Sequence, residues 1–308
     1  MSRPTSVSLC AGAGGEALGL RWAGFHHAAL VEIEPDPCET LRLNGFGNVR
    51  QIDVASYREQ HAPTLTWASF PCQPWSTQGK REHCEDRRNL WPAIVDQLDS
   101  DPPKAFVGEN VIGLAQHVKA CTPLLPGTNC PGCYLEQVIL RDLQARFAFV
   151  DCYRLNASGF GVPQHRRRLF IVASDRPIGR PVPTHGPGKP MPWVTIKDAL
   201  GLEIRLDGGR NSKANPRQER PITSSEPCFT IGTRGNQIVR FSDGTKRRLE
   251  PEECAILMGY PATYRFAGRY KISRYRQIGN SVCPAVADAI GRQVMAAHGI
   301  RPPRGNHG

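Results

Sequence analysis

The sequence has no apolar run of the length a bilayer-spanning helix needs, about 18 residues or more. A membrane partner is therefore not expected. The first residues, Met1-Ser2-Arg3-Pro4, lead into a strand-like segment without the apolar core of a signal peptide. The expected location is the cytoplasm. Internal repeats are absent too. Acidic residues are scarce in the second half: residues 151–308 hold 12 Asp+Glu against 26 Lys+Arg, whereas residues 1–150 hold 16 against 13. A near-neutral first half and a strongly basic second half point to a polyanionic partner, the alternative being a solvated basic surface. An even set of cysteines is also missing. There are 11, and in a reducing compartment most are expected to be free thiols, some of them available as nucleophiles or ligands.

What is present is a chain of 308 residues, 40% hydrophobic, enough for one large domain and a smaller one. Short apolar runs alternate with helical patterns over the first 110 residues. Ser6–Cys10, Ala28–Val31, Thr66–Ser69 and Ala105–Gly108 read as strands. Helical spacing follows from Gly14 to Trp22, Asp36 to Asn44 and Leu90 to Leu98. Such alternation predicts βαβ units and a mostly parallel sheet covered on both faces, an α/β fold. A helix over 134–147 leads to two strands, 150–155 and 168–173, joined by a short loop rich in Gly, Pro and Arg, which predicts an edge hairpin. From about 176 to 246 Pro, Gly, Arg, Ser and Thr dominate, so a small irregular domain is expected there. Helical pattern returns at Pro251–Met258 and at Asn280–Ala297. The expected division is 1–175 and 247–300 for the main domain, 176–246 for the small one, and 301–308 as a tail.

Several segments carry chemistry. Cys10-Ala11-Gly12-Ala13-Gly14-Gly15 lies between a strand and a helix. Its glycines let backbone approach a ligand, and the helix start offers N–H groups to a dinucleotide phosphate or to the carboxylate of S-adenosylmethionine. A tight structural turn is nearly as good a reading. Glu32, ending the second strand, is placed to hold a ribose diol, and Asp53 to accept from an adenine amino group. Phe70-Pro71-Cys72-Gln73-Pro74 follows the fourth strand, so Cys72 sits at a carboxyl-end rim, where ligands of open α/β sheets bind. A structural thiol in a turn is the alternative. Glu109 ends the next strand, as a general acid or a helix cap. Gln164-His165-Arg166-Arg167-Arg168 lies at the hairpin turn, either a solvated basic turn or a set of phosphate and base contacts. Cys130-Pro131-Gly132-Cys133 is a CxxC pair with Cys84, His117 and Cys121 as candidate companions. A second regularly spaced pair is missing, so free thiols and no metal site are the default.

In this order the segments resemble the motifs of the DNA (cytosine-5)-methyltransferase family, across about 1–175 and 247–295. Ser8–Gly15 is similar to its cofactor loop, Pro71-Cys72-Gln73 to its nucleophile loop, Glu109-Asn110-Val111 to its glutamate motif and Gln164-x-Arg166-x-Arg168 to its arginine motif. Arg248-Leu249 through Gly259-Tyr260-Pro261 resembles the element supporting target recognition. Gln277-Ile278-Gly279-Asn280-Ser281-Val282 resembles the final motif, which closes the cofactor site.

The resemblance implies a Rossmann-like S-adenosylmethionine-dependent methyltransferase fold with residues 176–246 as the target-recognition domain. It implies Cys72 as nucleophile, with Glu109, Arg166 and Arg168 as its catalytic company. The cofactor would be held by Cys10–Gly15, Glu32, Ile33, Asp53, Val54, Pro71, Asn280, Ser281 and Val282. Double-stranded DNA is the implied partner, met by Phe70, Gln73, Ser76, Gln164, Thr230 and Arg234. A companion restriction endonuclease and a monomeric enzyme are further expectations. Rival expectations are a tRNA cytosine-5 methyltransferase on the same motifs and a non-catalytic DNA-binding relative. A nicotinamide-dependent oxidoreductase would explain the glycine loop but not Cys72, Glu109 and the arginines. The sequence departs from the family at Cys10, where Phe is usual, at Ser8, where an acid is usual, and at Met258, where Gln is usual. With Cys10 in place of Phe, adenine packing would rest on Ile33 and Val54.

Overall fold

A computed structural model describes residues 3–71, 89–117, 130–207 and 221–301. The main domain is built on a seven-stranded sheet. In chain order its strands are β1 (Thr5–Leu9), β2 (His26–Glu32), β3 (Val49–Gln51), β4 (Leu65–Ala68), β5 (Ala105–Val111), β6 (Phe149–Asn156) and β8 (Arg167–Ser174). Their spatial order is β3-β2-β1-β4-β5-β8-β6. The first five run parallel, while β8 is antiparallel to both β5 and β6. The expected α/β fold and edge hairpin are both present: β6 is the edge strand, with Asn156 opposite Arg167.

Side chains alternate across the sheet because successive Cβ atoms point to opposite faces. Val7, Leu9, Val31, Phe106 and Ile171 join one core layer; Leu30, Leu65, Trp67, Val107 and Phe170 join the other. Helix α1 (Gly15–Ala23) and α9 (Pro284–Ala297) cover the second layer with Leu20, Ile290 and Val294. Helix α3 (Trp91–Ser100) and the segment 131–144 cover the first with Trp91, Ile94 and Ile139. That segment starts as α4 (Pro131–Tyr134), widens to a π turn at Leu135–Leu140 and ends as α5 (Arg141–Gln144).

The segment expected to be irregular carries short strands. Ile204–Asp207 (β9), Ile222–Thr223 (β10), Ile238–Phe241 (β12) and Lys246–Arg248 (β13) form an antiparallel sheet in the order β10-β9-β12-β13. Cys228–Phe229 (β11) pairs separately with Gln164–His165 (β7). Leu206, Cys228, Ile231 and Val239 pack in the same apolar cluster as α1 and α9. The expected end at residue 246 falls inside β13.

One helix expectation is corrected. In place of a single helix from Asn280 to Ala297, the chain forms α8 (Lys271–Asn280) and then α9 from Pro284, with an extended Ser281 between. Proline suits the first turn of a helix, where its missing N–H has no partner to lose. The pattern of α8 is easily missed: it buries only Tyr275, Gln277, Ile278 and Gly279.

Candidate active site

The strand order reverses between β1 and β4, and the loops leaving these neighbours at their carboxyl ends define a crevice for ligand binding. Cys10–Gly14 leaves β1, Ser69-Phe70-Pro71 leaves β4, Glu32 ends β2 and Glu109 lies near the end of β5. Because β8 is antiparallel, its first residues lie at the same rim: Arg168 is opposite Val111 and Phe170 is opposite Glu109. Arg168 and Glu109 are thus diagonal neighbours on one face, and Arg168 Nε lies 3.2 Å from Glu109 Oε1.

Burial pushes the Glu109 carboxyl above its ordinary pKa, against the pull of Arg168 and Arg166. Such an acid keeps its proton more readily and can donate it in a hydrogen bond. Asn110 next to it ties the two rims together. Its Nδ2 donates to the Phe70 carbonyl (3.2 Å), and its Oδ1 accepts from the Val111 N–H (2.9 Å). The loop that leads to Cys72 is therefore held from the glutamate strand. Cys72, Gln73 and Ser76 themselves lie outside the described residues.

The glycine loop is shaped by the segment that returns from the far end of the chain. A Cβ on Gly15 would stand 2.0 Å from the Val282 carbonyl oxygen, and one on Gly14 would stand 2.5 Å from Leu41. Gly12 differs: with φ +52° it would have no atom within 4 Å of a Cβ. That open space is where backbone can meet a ligand. Cys10 holds a left-handed backbone at φ +59°, a conformation uncommon for a residue with a Cβ. Tyr264 donates its hydroxyl to the Ala13 carbonyl (2.6 Å).

Glu32 faces this loop. Its Oε2 accepts from the Gly12 N–H (2.7 Å), and Oε1 accepts from the N–H groups of Ile33 and Glu34 (both 2.8 Å). These use three of roughly four lone-pair positions, so a ribose diol would share the carboxylate with the backbone. Ile33 is 56% exposed beside it and offers an aliphatic surface at the rim. Val54 is buried, and Asp53 caps the short helix Val54–Ser56 by accepting from the Ala55 N–H (2.9 Å). Open backbone at Gly12, a carboxylate and an exposed aliphatic wall fit S-adenosylmethionine.

Several expected contacts lie elsewhere. Phe70 is buried and packs on Trp91, ring centres 5.8 Å apart; its side chain belongs to the core and cannot reach DNA. Gln164 is fully buried. Its Nε2 donates to the Leu257 carbonyl and to Met258 Sδ (both 3.1 Å), and its Oε1 accepts from the Ile231 N–H (2.9 Å). Its amide joins three segments, and its full burial keeps it from a base.

Arg166 is 2% exposed and donates to the carbonyls of Ile231 (3.2 Å), Gly279 (2.7 Å) and Ser281 (2.8 Å). A guanidinium enclosed by carbonyls positions its neighbours, whereas a phosphate contact needs an exposed one. Ser281 is buried and donates to the Gln277 carbonyl (2.9 Å), whereas Asn280 is exposed. Thr230 donates to the His165 carbonyl (2.8 Å), and Arg234 is exposed.

Glu16 lies outside the residues that the motifs single out. It is buried in the first turn of α1, and its Oε1 has no hydrogen-bond partner among the described residues. Burial pushes its carboxyl up to about 8, helped by Glu32 and Glu109 and opposed by the N–H groups of Glu16 and Ala17. An acid placed directly after a double glycine was the available signal.

Comparisons with known proteins identify the family. The family model described as C-5 cytosine-specific DNA methylase matches residues 5–180 and 204–296. The type II methyltransferase M.NgoMIV of Neisseria gonorrhoeae is 30% identical, over 95% of this chain and 97% of its own. M.NaeI of Lentzea aerocolonigenes is 31% identical, over 94% of this chain and 74% of its own. In fold, the chain superposes on the S. pombe Dnmt2 methyltransferase with a TM-score of 0.69 at 17% identity, covering 96% and 99% of the two chains. The chain belongs to the C-5 cytosine-specific DNA methylase family.

Proposed function

We propose that this protein, which methylates carbon 5 of cytosine in DNA with S-adenosylmethionine as donor, acts on a base turned out of the duplex, through a covalent adduct with Cys72. It would serve as a monomeric modification enzyme beside a restriction nuclease of the same specificity, a reading supported by relatives named as type II methyltransferases. The observation that carries the chemistry is the rim pair Glu109–Arg168, with Asn110 holding the loop that leads to Cys72.

Carbon 5 of cytosine is a weak nucleophile. A thiolate adding at carbon 6 converts the ring to an enamine whose carbon 5 can attack an electrophile. Bound S-adenosylmethionine supplies that electrophile as a sulfonium methyl. Protonated Glu109 donates to ring nitrogen 3 and stabilises the charge that develops there. Arg168 holds the Glu109 carboxyl and faces the base oxygen. A base, bound water or a side chain, then takes the carbon 5 proton, and the electron pair left behind expels the Cys72 thiolate and restores the aromatic ring. The target atom is inaccessible in a duplex, which requires flipping. Sequence readout falls to the basic segment 176–246, by base edges in the major groove.

The test is expression in a bacterial host free of cytosine methylation, followed by genome-wide mapping of 5-methylcytosine. A short defined motif is expected, and it should vanish with Cys72→Ala in a protein that still folds. Marks that persist in that variant overturn the covalent mechanism. Methylation confined to RNA overturns the DNA assignment.

A further inference from the structure

Beyond the carboxyl end of the glutamate strand, three groups with affinity for soft divalent metals converge. His117 follows the turn Ile112–Ala115 that leaves β5, and Cys130 and Cys133 bracket the start of α4. The two sulfurs lie 3.7 and 3.6 Å from His117 Nδ1, and all three ligand atoms lie within 4.8 Å of one another. Both cysteines are buried and are thiols, not a disulfide. A tetrahedral zinc, with bonds of about 2.3 Å to sulfur and about 2.0 Å to nitrogen, needs S···N separations near 3.5 Å. The two observed S···N spacings are close to those a shared ion would set.

Two independent features support the same reading. The other ring nitrogen of His117, Nε2, lies 3.1 Å from Glu136 Oε1. A metal-bound histidine ordinarily gives its second nitrogen to a carboxylate, which fixes the tautomer and leaves the first nitrogen unprotonated for the ion. Here that first nitrogen is the one facing the sulfurs. The turn between the cysteines is also moulded to the ring. A Cβ on Gly132 would stand 2.7 Å from His117 Cδ2 and 2.8 Å from Nε2, and the Gly132 N–H donates to the Gln116 carbonyl (3.1 Å).

We infer that His117, Cys130 and Cys133 bind a structural zinc ion, with Glu136 orienting the imidazole from behind. Thiolate and imidazole donors select zinc over the hard cations, which prefer oxygen. Binding deprotonates both thiols and releases two protons to solvent. The ion would clip the chain leaving the Glu109 strand onto the helical segment 131–144. That segment packs Tyr134, Leu135 and Ile139 beside Leu114 under the sheet. Zinc would thus brace the carboxyl end of the glutamate strand and take no part in methyl transfer. Cys84 and Cys121, the other expected companions, lie outside the described residues.

The test is metal analysis of the full chain, purified without chelator or added metal, together with thermal unfolding in the presence and absence of chelator. Stoichiometric zinc is expected, with a chelator-induced fall in Tm. Cys133→Ser and His117→Ala should lack zinc and show no further response to chelator. Glu136→Gln, at an exposed position, should keep the fold but bind zinc about 10- to 100-fold more weakly in chelator competition. It keeps the proposal testable if the ligand variants fail to fold. Wild-type protein that carries no zinc and gains no stability when zinc is added overturns the inference. So does zinc that remains in the ligand variants, or unchanged zinc affinity in Glu136→Gln.

Discussion

A side-chain carbon at Gly15 would come within 2.0 Å of the carbonyl oxygen of Val282, so the first turn of α1 and the extended link before α9 are in backbone contact. Gly19, one turn on, repeats the contact: its Cβ would lie 2.1 Å from the Pro284 carbonyl oxygen. The cofactor loop thus depends on a segment from the other end of the chain.

Gly15→Ala should accordingly lose at least about 3 kcal/mol of stability, because neither backbone can yield. Gly12→Ala has free space and only its positive φ to contend with, about 1–2 kcal/mol. It should remain folded yet bind S-adenosylmethionine more weakly, since the new methyl fills the open space. Denaturant unfolding and calorimetric titration of the cofactor separate the two.

The Glu109–Arg168 pair sets a pH dependence. In the proposed mechanism methyl transfer uses the protonated Glu109 carboxyl, so activity is expected below the Glu109 pKa and should be lost as pH rises through it. Arg168 pulls that pKa down against burial. Arg168→Ala should lower kcat and also move the alkaline limb of the kcat profile to higher pH. Glu109→Gln should abolish the limb and lower kcat by about 10²- to 10⁴-fold. A limb unmoved in both variants would assign it to another group.

Arg166 and Arg234 should behave oppositely. Removing the buried Arg166 strands the carbonyls of Ile231, Gly279 and Ser281. Arg166→Ala should lose about 3 kcal/mol or more and leave the salt dependence of DNA binding unchanged. Exposed Arg234→Ala should keep full stability while the slope of log K against log salt falls by about 0.9. DNA titrations over a range of salt concentrations, set beside melting curves, decide it.

Glu16 makes a prediction about stability. Its folded pKa of about 8 lies above the ordinary 4.5. Between those values the folded chain holds a proton that the unfolded chain has released. Stability therefore falls as pH rises through that window, on the order of 1.4 kcal/mol per pH unit, and levels off above it. Glu16→Gln removes this slope and should be more stable than the parent at neutral and alkaline pH. Urea unfolding across the window measures the difference.

Local pattern carried much of this molecule. Short apolar runs place six of the seven strands of the main sheet, since a sheet buried on both faces leaves few polar positions, whereas β3 and the short strands after residue 203 carry no such run. Short ordered motifs put Cys10–Gly15, Glu32 and Glu109 at strand ends, where strand direction alone makes a rim. The helix over 271–280 stayed hidden, because a mostly polar helix with a narrow buried stripe has little periodic signal of its own.

Which polar side chains face a ligand and which staple the interior was not legible at all. Gln164 and Arg166 sit in the same basic-looking turn as Arg168, and it is Arg168 that forms the ion pair with Glu109. The other two are drawn inward by carbonyls and amides contributed from residues 231, 257, 279 and 281. His117 was one of three candidate companions of Cys130 and Cys133, and the packing of α4 against the turn that leaves β5 brings it to them. Motif order and strand periodicity are properties of neighbouring residues, and the sequence alone determined them. Burial, proton affinity and the pairing of distant groups depend on what packs against each side chain from elsewhere in the chain, and only the tertiary structure decided those.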